Sequence, residues 1–180
     1  KTCLYLGLSP KNFSYEGIIT HLPLIETQKI PLTHQIKKYL IDFSAFTTLI
    51  ITSKTAVKNL ITSLNELFQT NDIKLLFEKI TIFSVGPSTT QALNDYNIKV
   101  SFEAKTHTSE GLVELLKNYN WLQKKVFYPH SELSRPIIRN FLEEKQINFK
   151  EAITYTTQAK QPYFTPSLKE YNSIIFTSPS

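Results

Sequence analysis

From Thr48 onward the chain alternates short apolar runs with stretches of helical spacing, and few architectures accept that alternation. The runs at 48–52, 80–84, 98–102, 125–128 and 149–154 have the length and composition of buried strands. Between them apolar residues recur one helical turn apart. Val57, Leu60, Ile61, Leu64 and Leu67 form one such stripe, Leu112, Val113, Leu115 and Leu116 a second, and Ile137, Ile138, Phe141 and Leu142 a third. Strand, helix, strand in regular succession is the mark of βαβ units around a parallel sheet. The spacing predicts a doubly wound, flavodoxin-like domain over 33–152.

The flanks do not fit inside that domain. Thr2 to Gly7 (TCLYLG) and His21 to Glu26 (HLPLIE) read as strands, and an amphipathic segment follows at 33–41. Ser173 to Thr177 reads as a strand after the proline-bearing stretch Gln161 to Pro166. The simplest arrangement is two doubly wound parallel-sheet domains. Residues 1–25 with 160–180 supply a discontinuous terminal domain, 33–152 is inserted into it, and 22–31 and 153–162 form a two-stranded connector. A doubly wound sheet needs helices on both faces, and two or three terminal strands lack them, so the terminal domain is expected to be incomplete at the C-terminus of this chain.

At 180 residues and 41% apolar content the chain can build a true core. No apolar stretch is long enough to cross a bilayer and no leader pattern is evident, so a soluble protein is expected; with a single cysteine, a reducing cytoplasm is the default, and a monomer is expected. Cys3 is the only cysteine and His21, His34, His107 and His130 lack ligand spacing, so no metal is expected. The formal charge of +5 favours an anionic partner. The lysines are scattered, without the basic and aromatic stripe of nucleic-acid modules. Charge alone does not choose among nucleic acid, phosphates and a small molecule carrying several carboxylates.

In an open parallel sheet the ligand crevice lies beyond the carboxyl ends of the strands, where helix N-termini present unpaired N–H groups. The polar residues expected there are Thr52, Ser53 and Lys54 after the first strand, and Ser84, Gly86, Pro87 and Ser88 to Thr90 after the second. Thr106 to Gly111 (THTSEG), including Thr108 and Ser109, follows the third, and His130, Ser131 and Ser134 the fourth. Ser and Thr are also the preferred N-caps of any helix. Gly86 and Gly111 fall in these turns, and glycine permits close approach of the backbone to a ligand. The Ser-Val-Gly-Pro turn has neither GxGxxG spacing nor a Walker lysine. Tyr155, in ITYTTQ, stands just past the last strand of the inserted domain, where it either packs the connector or acts chemically. The turns at Thr52-Ser53, Ser84 to Ser88 and Thr108 to Gly111 are expected to share one sheet edge, facing the other domain.

Taken in order, these segments resemble uroporphyrinogen-III synthase. HLPLIET resembles the first linker strand of that family, LIITSKTAV its strand with the Thr-Ser turn, FSVGPSTTQAL its Val-Gly-Pro-Thr turn and helix, and TSEGLVELL its Ser-Glu-Gly-Leu helix start. VFYPHSELSRPIIRNFLEEKQI resembles the fourth strand and helix, ITYTT the second linker with its tyrosine, and IIFTSPS the Phe-Thr-Ser-Pro-Ser turn of the other domain. The resemblance implies a cofactor-free lyase that closes hydroxymethylbilane to uroporphyrinogen III with inversion of ring D and loss of water. It nominates Tyr155 as the group assisting departure of the hydroxyl, and adds Thr177 and Ser178 to the substrate-binding positions. The rival reading is a non-catalytic two-lobed α/β protein that closes around an anionic small molecule.

Overall fold

The computed structural model describes residues 1–11, 13–69 and 73–176. Its strands are β1 (Thr2–Tyr5), β2 (Ile18–His21), β3 (Ile25–Lys29), β4 (Thr48–Ile51), β5 (Thr81–Ser84), β6 (Phe102–Glu103), β7 (Lys125–Ser131), β8 (Asn148–Ala159) and β9 (Ser173–Ile175). Its helices are α1 (His34–Ile41), α2 (Lys54–Phe68), α3 (Pro87–Asn94), α4 (Ser109–Lys117) and α5 (Ile137–Glu144). Two units emerge, one of residues 1–28 with those from 157 onward, the other Lys29–Thr156.

In the larger unit the sheet runs β8-β7-β4-β5-β6. From β8 to β6 every neighbouring pair is parallel. Successive side chains of a strand face opposite ways, and here each face meets its own core. Leu49 and Ile51, Ile82, and Phe127 join α1, α2 and α3 on one face through Leu40, Val57, Leu60 and Leu93. Ile50, Phe83, Val126 and Tyr128 join α4 and α5 on the other through Leu112, Leu116, Ile138 and Leu142. Helices on both faces of a parallel sheet make the unit doubly wound.

The strand order corrects one expectation. Counted in chain order from β4, the five parallel strands lie 3-2-1-4-5, not in the 2-1-3-4-5 order of flavodoxin. Apolar runs specify that strands share a sheet but carry no information about which become neighbours. After β6 the chain returns to the far side of β4, so the order reverses between β4 and β7.

Several strands differ from their expected bounds. β7 runs on to Ser131, so His130 and Ser131, expected in the turn after it, lie within the strand. The run 98–102 contributes only Phe102–Glu103 to the sheet. Asn97 adopts a left-handed conformation (φ 57°) after α3, Ile98 buries beside Leu93, and Ser101 donates its N–H to Ile82 while its hydroxyl accepts from Ile82 N–H. These residues reach the core without a ladder. The apolar stretch HLPLIE is divided, because Pro23 interrupts it between β2 and β3. The last strand is longer than its apolar part and runs unbroken to Ala159, so Tyr155 lies within β8, not past its end.

The smaller unit holds a parallel sheet ordered β2-β1-β9. Cys3, Leu4 and Tyr5 of β1 are buried, and Tyr5 packs its ring 5.3 Å from Phe13. Gly17 is required by its backbone: φ is 151°, and a Cβ there would lie 2.2 Å from the Lys1 carbonyl oxygen.

Tyr128, 3% exposed, is a buried phenol of the second core. Burial pushes its pKa up to about 12, with the Glu151 and Tyr155 charges acting in the same direction and hydrogen bonds with Thr52 and Ser134 opposing. The fold therefore favours the neutral phenol. An unfolded tyrosine ionises near pH 10, so the stability Tyr128 contributes is complete below about pH 10 and is lost as pH rises toward 12. Urea unfolding of the wild type should lose about 2–3 kcal/mol more than Tyr128→Phe across that window. Parallel pH profiles for the two proteins would contradict the assignment.

Candidate functional site

Because β4, β5, β6 and β7 are parallel, the turns that leave them lie on one edge of the sheet. Thr52-Ser53, Ser84 to Ser88 and Thr108 to Gly111 share that edge, as the sequence led one to expect, and Ser131 to Ser134 lies there too. The reversal of strand order between β4 and β7 brings Thr52-Ser53 beside the end of β7, at the topological switch point where such sheets open a crevice.

Ser53 is the N-cap of α2, its Oγ accepting from Ala56 N–H at 3.0 Å. The same oxygen lies 2.9 Å from the Tyr155 phenol, which is 6% exposed. Two residues 102 positions apart are thus joined on the α2 face of the sheet. On the opposite face lies Tyr128, in the core with α4 and α5. The His130 ring stacks on Tyr128 with centroids 4.6 Å apart. His130 Nδ1 lies 2.8 Å from the Ser131 carbonyl and Nε2 lies 3.3 Å from Glu151. Arg139 of α5 clasps the same carboxylate through Nε at 2.9 Å and through a terminal nitrogen.

The remaining turns are capped in several ways. Thr108 caps α4 by accepting from Gly111 N–H at 3.1 Å. Ser84 is buried and its hydroxyl meets Thr90 at 2.7 Å, while Thr90 in turn donates to Glu103. Gly86 precedes α3, which starts at Pro87 without a side-chain cap. Pro87 and Ser88 are exposed, and Ser109 is half-buried. Ser131 Oγ accepts from Leu133 N–H at 3.2 Å. Helix geometry leaves Lys54, Thr55, Ser88, Ser109 and Glu110 with N–H groups that have no intrahelical acceptor. Thr177 and Ser178 lie outside the described residues.

Both glycines answer to their own chain. A Cβ at Gly111 would lie 2.1 Å from the Thr106 carbonyl oxygen, and one at Gly86 would lie 2.9 Å from the His107 ring. The close approach that glycine permits is therefore taken up by neighbouring protein groups. Arg135 pairs with Glu110 at 2.6 and 2.9 Å across the tops of α5 and α4. That pairing holds the Glu110 carboxyl below its ordinary range and raises the guanidinium. With Arg135 and Arg139 both engaged by carboxylates, the donors this edge offers to an anion are mainly backbone N–H groups and hydroxyls.

Sequence reasoning missed Tyr128, Glu151 and Arg139. Glu151 carried a usable signal, since a carboxylate beside the apolar end of a strand needs a partner. Tyr128 carried none, because in VFYPH it is one more apolar strand residue. Among the described residues there is no grouping of His, Cys, Asp and Glu suited to a metal ion, and no helix long and apolar enough to cross a membrane.

Solved structures share this fold. A mutant uroporphyrinogen III synthase from the extremely thermophilic bacterium Thermus thermophilus superposes with a TM-score of 0.61 at 15% identity, over 88% of this chain and 63% of that one. Uroporphyrinogen-III synthetase from Helicobacter pylori gives 0.56 at 23% identity, over 89% and 63% respectively. The chain thus spans just under two thirds of the length of these relatives. No curated protein matches it by sequence. The family model for uroporphyrinogen-III synthase HemD, in contrast, matches residues 12–180. The chain belongs to the uroporphyrinogen-III synthase HemD family.

Proposed function

We propose that this protein converts hydroxymethylbilane to uroporphyrinogen III without a cofactor, inverting ring D and releasing water. The observation that carries the reading is the Tyr155–Ser53 contact at the strand-end edge of a chain matched by the HemD family model. The substrate of that reaction is a polycarboxylate. The N–H groups heading α2, α3 and α4 suit its carboxylates, since helix N-termini favour negative charge. Thr52, Ser53, Ser88, Thr108 and Ser109 would contact it directly. Ser84, His130 and Ser131, whose polar groups are engaged internally, would shape the turns. We further take 1–25 with 160–180 as one α/β domain and 33–152 as the other.

Tyr155 is assigned as the acid. Ser53 Oγ already accepts from Ala56, so its hydroxyl hydrogen is free to point at the phenol oxygen. The phenol proton can then go to the departing hydroxymethyl oxygen as the carbon–oxygen bond breaks, with the pyrrole nitrogen supplying the electron pair. Ring closure through a spiro intermediate, fragmentation and reclosure follow, and the proton lost on rearomatisation restores the phenol. Folding the chain so that the correct carbons meet supplies much of the rate, as positioning generally does.

Incubation of the protein with hydroxymethylbilane and separation of the isomers tests the reading. Isomer III should dominate, and Tyr155→Phe should bind substrate and fold normally yet form III on the order of 10²-fold more slowly. A wild-type rate for Tyr155→Phe would make that residue a packed strand position only. Binding should also weaken only gently with salt, because backbone donors predominate. Calorimetry of Lys37→Gln and Lys124→Gln should show little change, and a large loss for either would count against binding at the helix termini.

A further inference from the structure

Tyr155 meets Ser53 only because β8 contains an extra residue. In a regular strand residues two apart share a face. Along β8, Phe149 packs toward the α4 and α5 core and Ala152 toward the α2 core. Continued alternation would turn Tyr155, like Phe149, toward α4 and α5. It lies instead in the α2 core with Ala152, three positions earlier. The ladder shows where the parity changes: His130 is opposite Ile153, whereas Ser131 is opposite Tyr155. Thr154 is the inserted residue of a β-bulge, and bulges beside functional sites commonly re-aim a side chain.

The bulge is pinned on several sides. The Thr154 hydroxyl donates to the His130 carbonyl at 3.3 Å. The Thr154 carbonyl accepts from Ile30 N–H at 3.1 Å and from Asn59 Nδ2 of α2 at 3.3 Å. Beyond it, Glu132 N–H donates to the Tyr155 carbonyl at 2.9 Å and fixes the new register. Thr154 is buried and Asn59 half-buried. Asn59 stands on the helix whose N-cap is Ser53, so α2 holds both the phenol's partner and the carbonyl of the bulged residue.

We propose that Thr154 and Asn59 are positioning residues for the Tyr155 hydroxyl, acting through this bulge. The proposal rests on the assignment of Tyr155 as the acid. It assigns no chemistry to Thr154 or Asn59 themselves.

Thr154→Val keeps the volume and removes the hydroxyl, and Asn59→Leu removes the amide donor at similar size. Each should lower kcat for isomer III about tenfold with KM unchanged, since displacement of a reacting group by an ångström or less has effects of this size or larger. In a Tyr155→Phe background each should have almost no further effect, because the group they position is gone. A 3-fluorotyrosine placed at 155 should shift its fluorine resonance in both variants. If Tyr155→Phe alone leaves the rate unchanged, the acid assignment fails and this proposal with it. If Tyr155→Phe is slow but the two variants are fully active, or their losses multiply with it, the positioning proposal alone is overturned. Should either variant fold poorly, the other carries the same test.

Discussion

The polar contacts at the strand ends depend on the alternation that sends Leu49 and Ile51 to one face of the sheet and Ile50 to the other. A parallel sheet covered on both faces leaves its strands no lateral freedom, since a slip of one residue would exchange the two cores. Phe127 and Tyr128 show the same constraint on β7. Phe127 is wholly buried against Phe43 and Phe46, with ring centroids 5.8 and 5.0 Å away, while Tyr128 next to it enters the core beneath α5. With β4 and β7 locked this way, Thr52-Ser53 and the Ser131 turn have fixed places at the switch point.

That alternation was readable because it is a local pattern. The helical stripes through Val57 to Leu64, Leu112 to Leu116 and Ile138 to Leu142 are the buried faces of α2, α4 and α5. The Thr and Ser residues at the strand ends were readable for the same reason, being required as caps where a strand meets a helix. The order of the strands was not, because neighbour choice is decided by long-range packing that leaves no period in the chain. Pro23 and Asn97 gave local signals that the apolar runs around them concealed. The bulge at Thr154 was invisible for a different cause. Ile153, Thr154 and Tyr155 are all good strand formers, and only the pairing with β7 reveals that one of them is supernumerary.

Taken together, the site is a rigid edge with one exception to its own regularity. The caps at Ser53 and Thr108, the Ser84–Thr90 contact and the Arg139–Glu151–His130 chain hold their turns by internal hydrogen bonds. The break in parity at β8 then delivers a single phenol from one face to Ser53. Part-buried hydrogen bonds such as those of Ser53, Ser84 and Glu151 hold their geometry because breaking one leaves a polar group unsatisfied. A reaction that needs a flexible chain held in one folded arrangement places its chief demand on such rigidity.

The central claim is that substrate binds along the carboxyl ends of β4 to β7. Amide chemical-shift mapping with uroporphyrin III, an oxidised stand-in for the product with the same eight carboxylates, tests it most directly. The largest changes should fall at 53–56, 86–90, 108–111 and 131–134. The opposite edge of the sheet carries a groove of about 430 Å³ lined by Trp121, Lys124, Lys125 and Lys145, and its amides should stay unchanged. Changes concentrated in that groove, with the strand-end turns silent, would contradict the account.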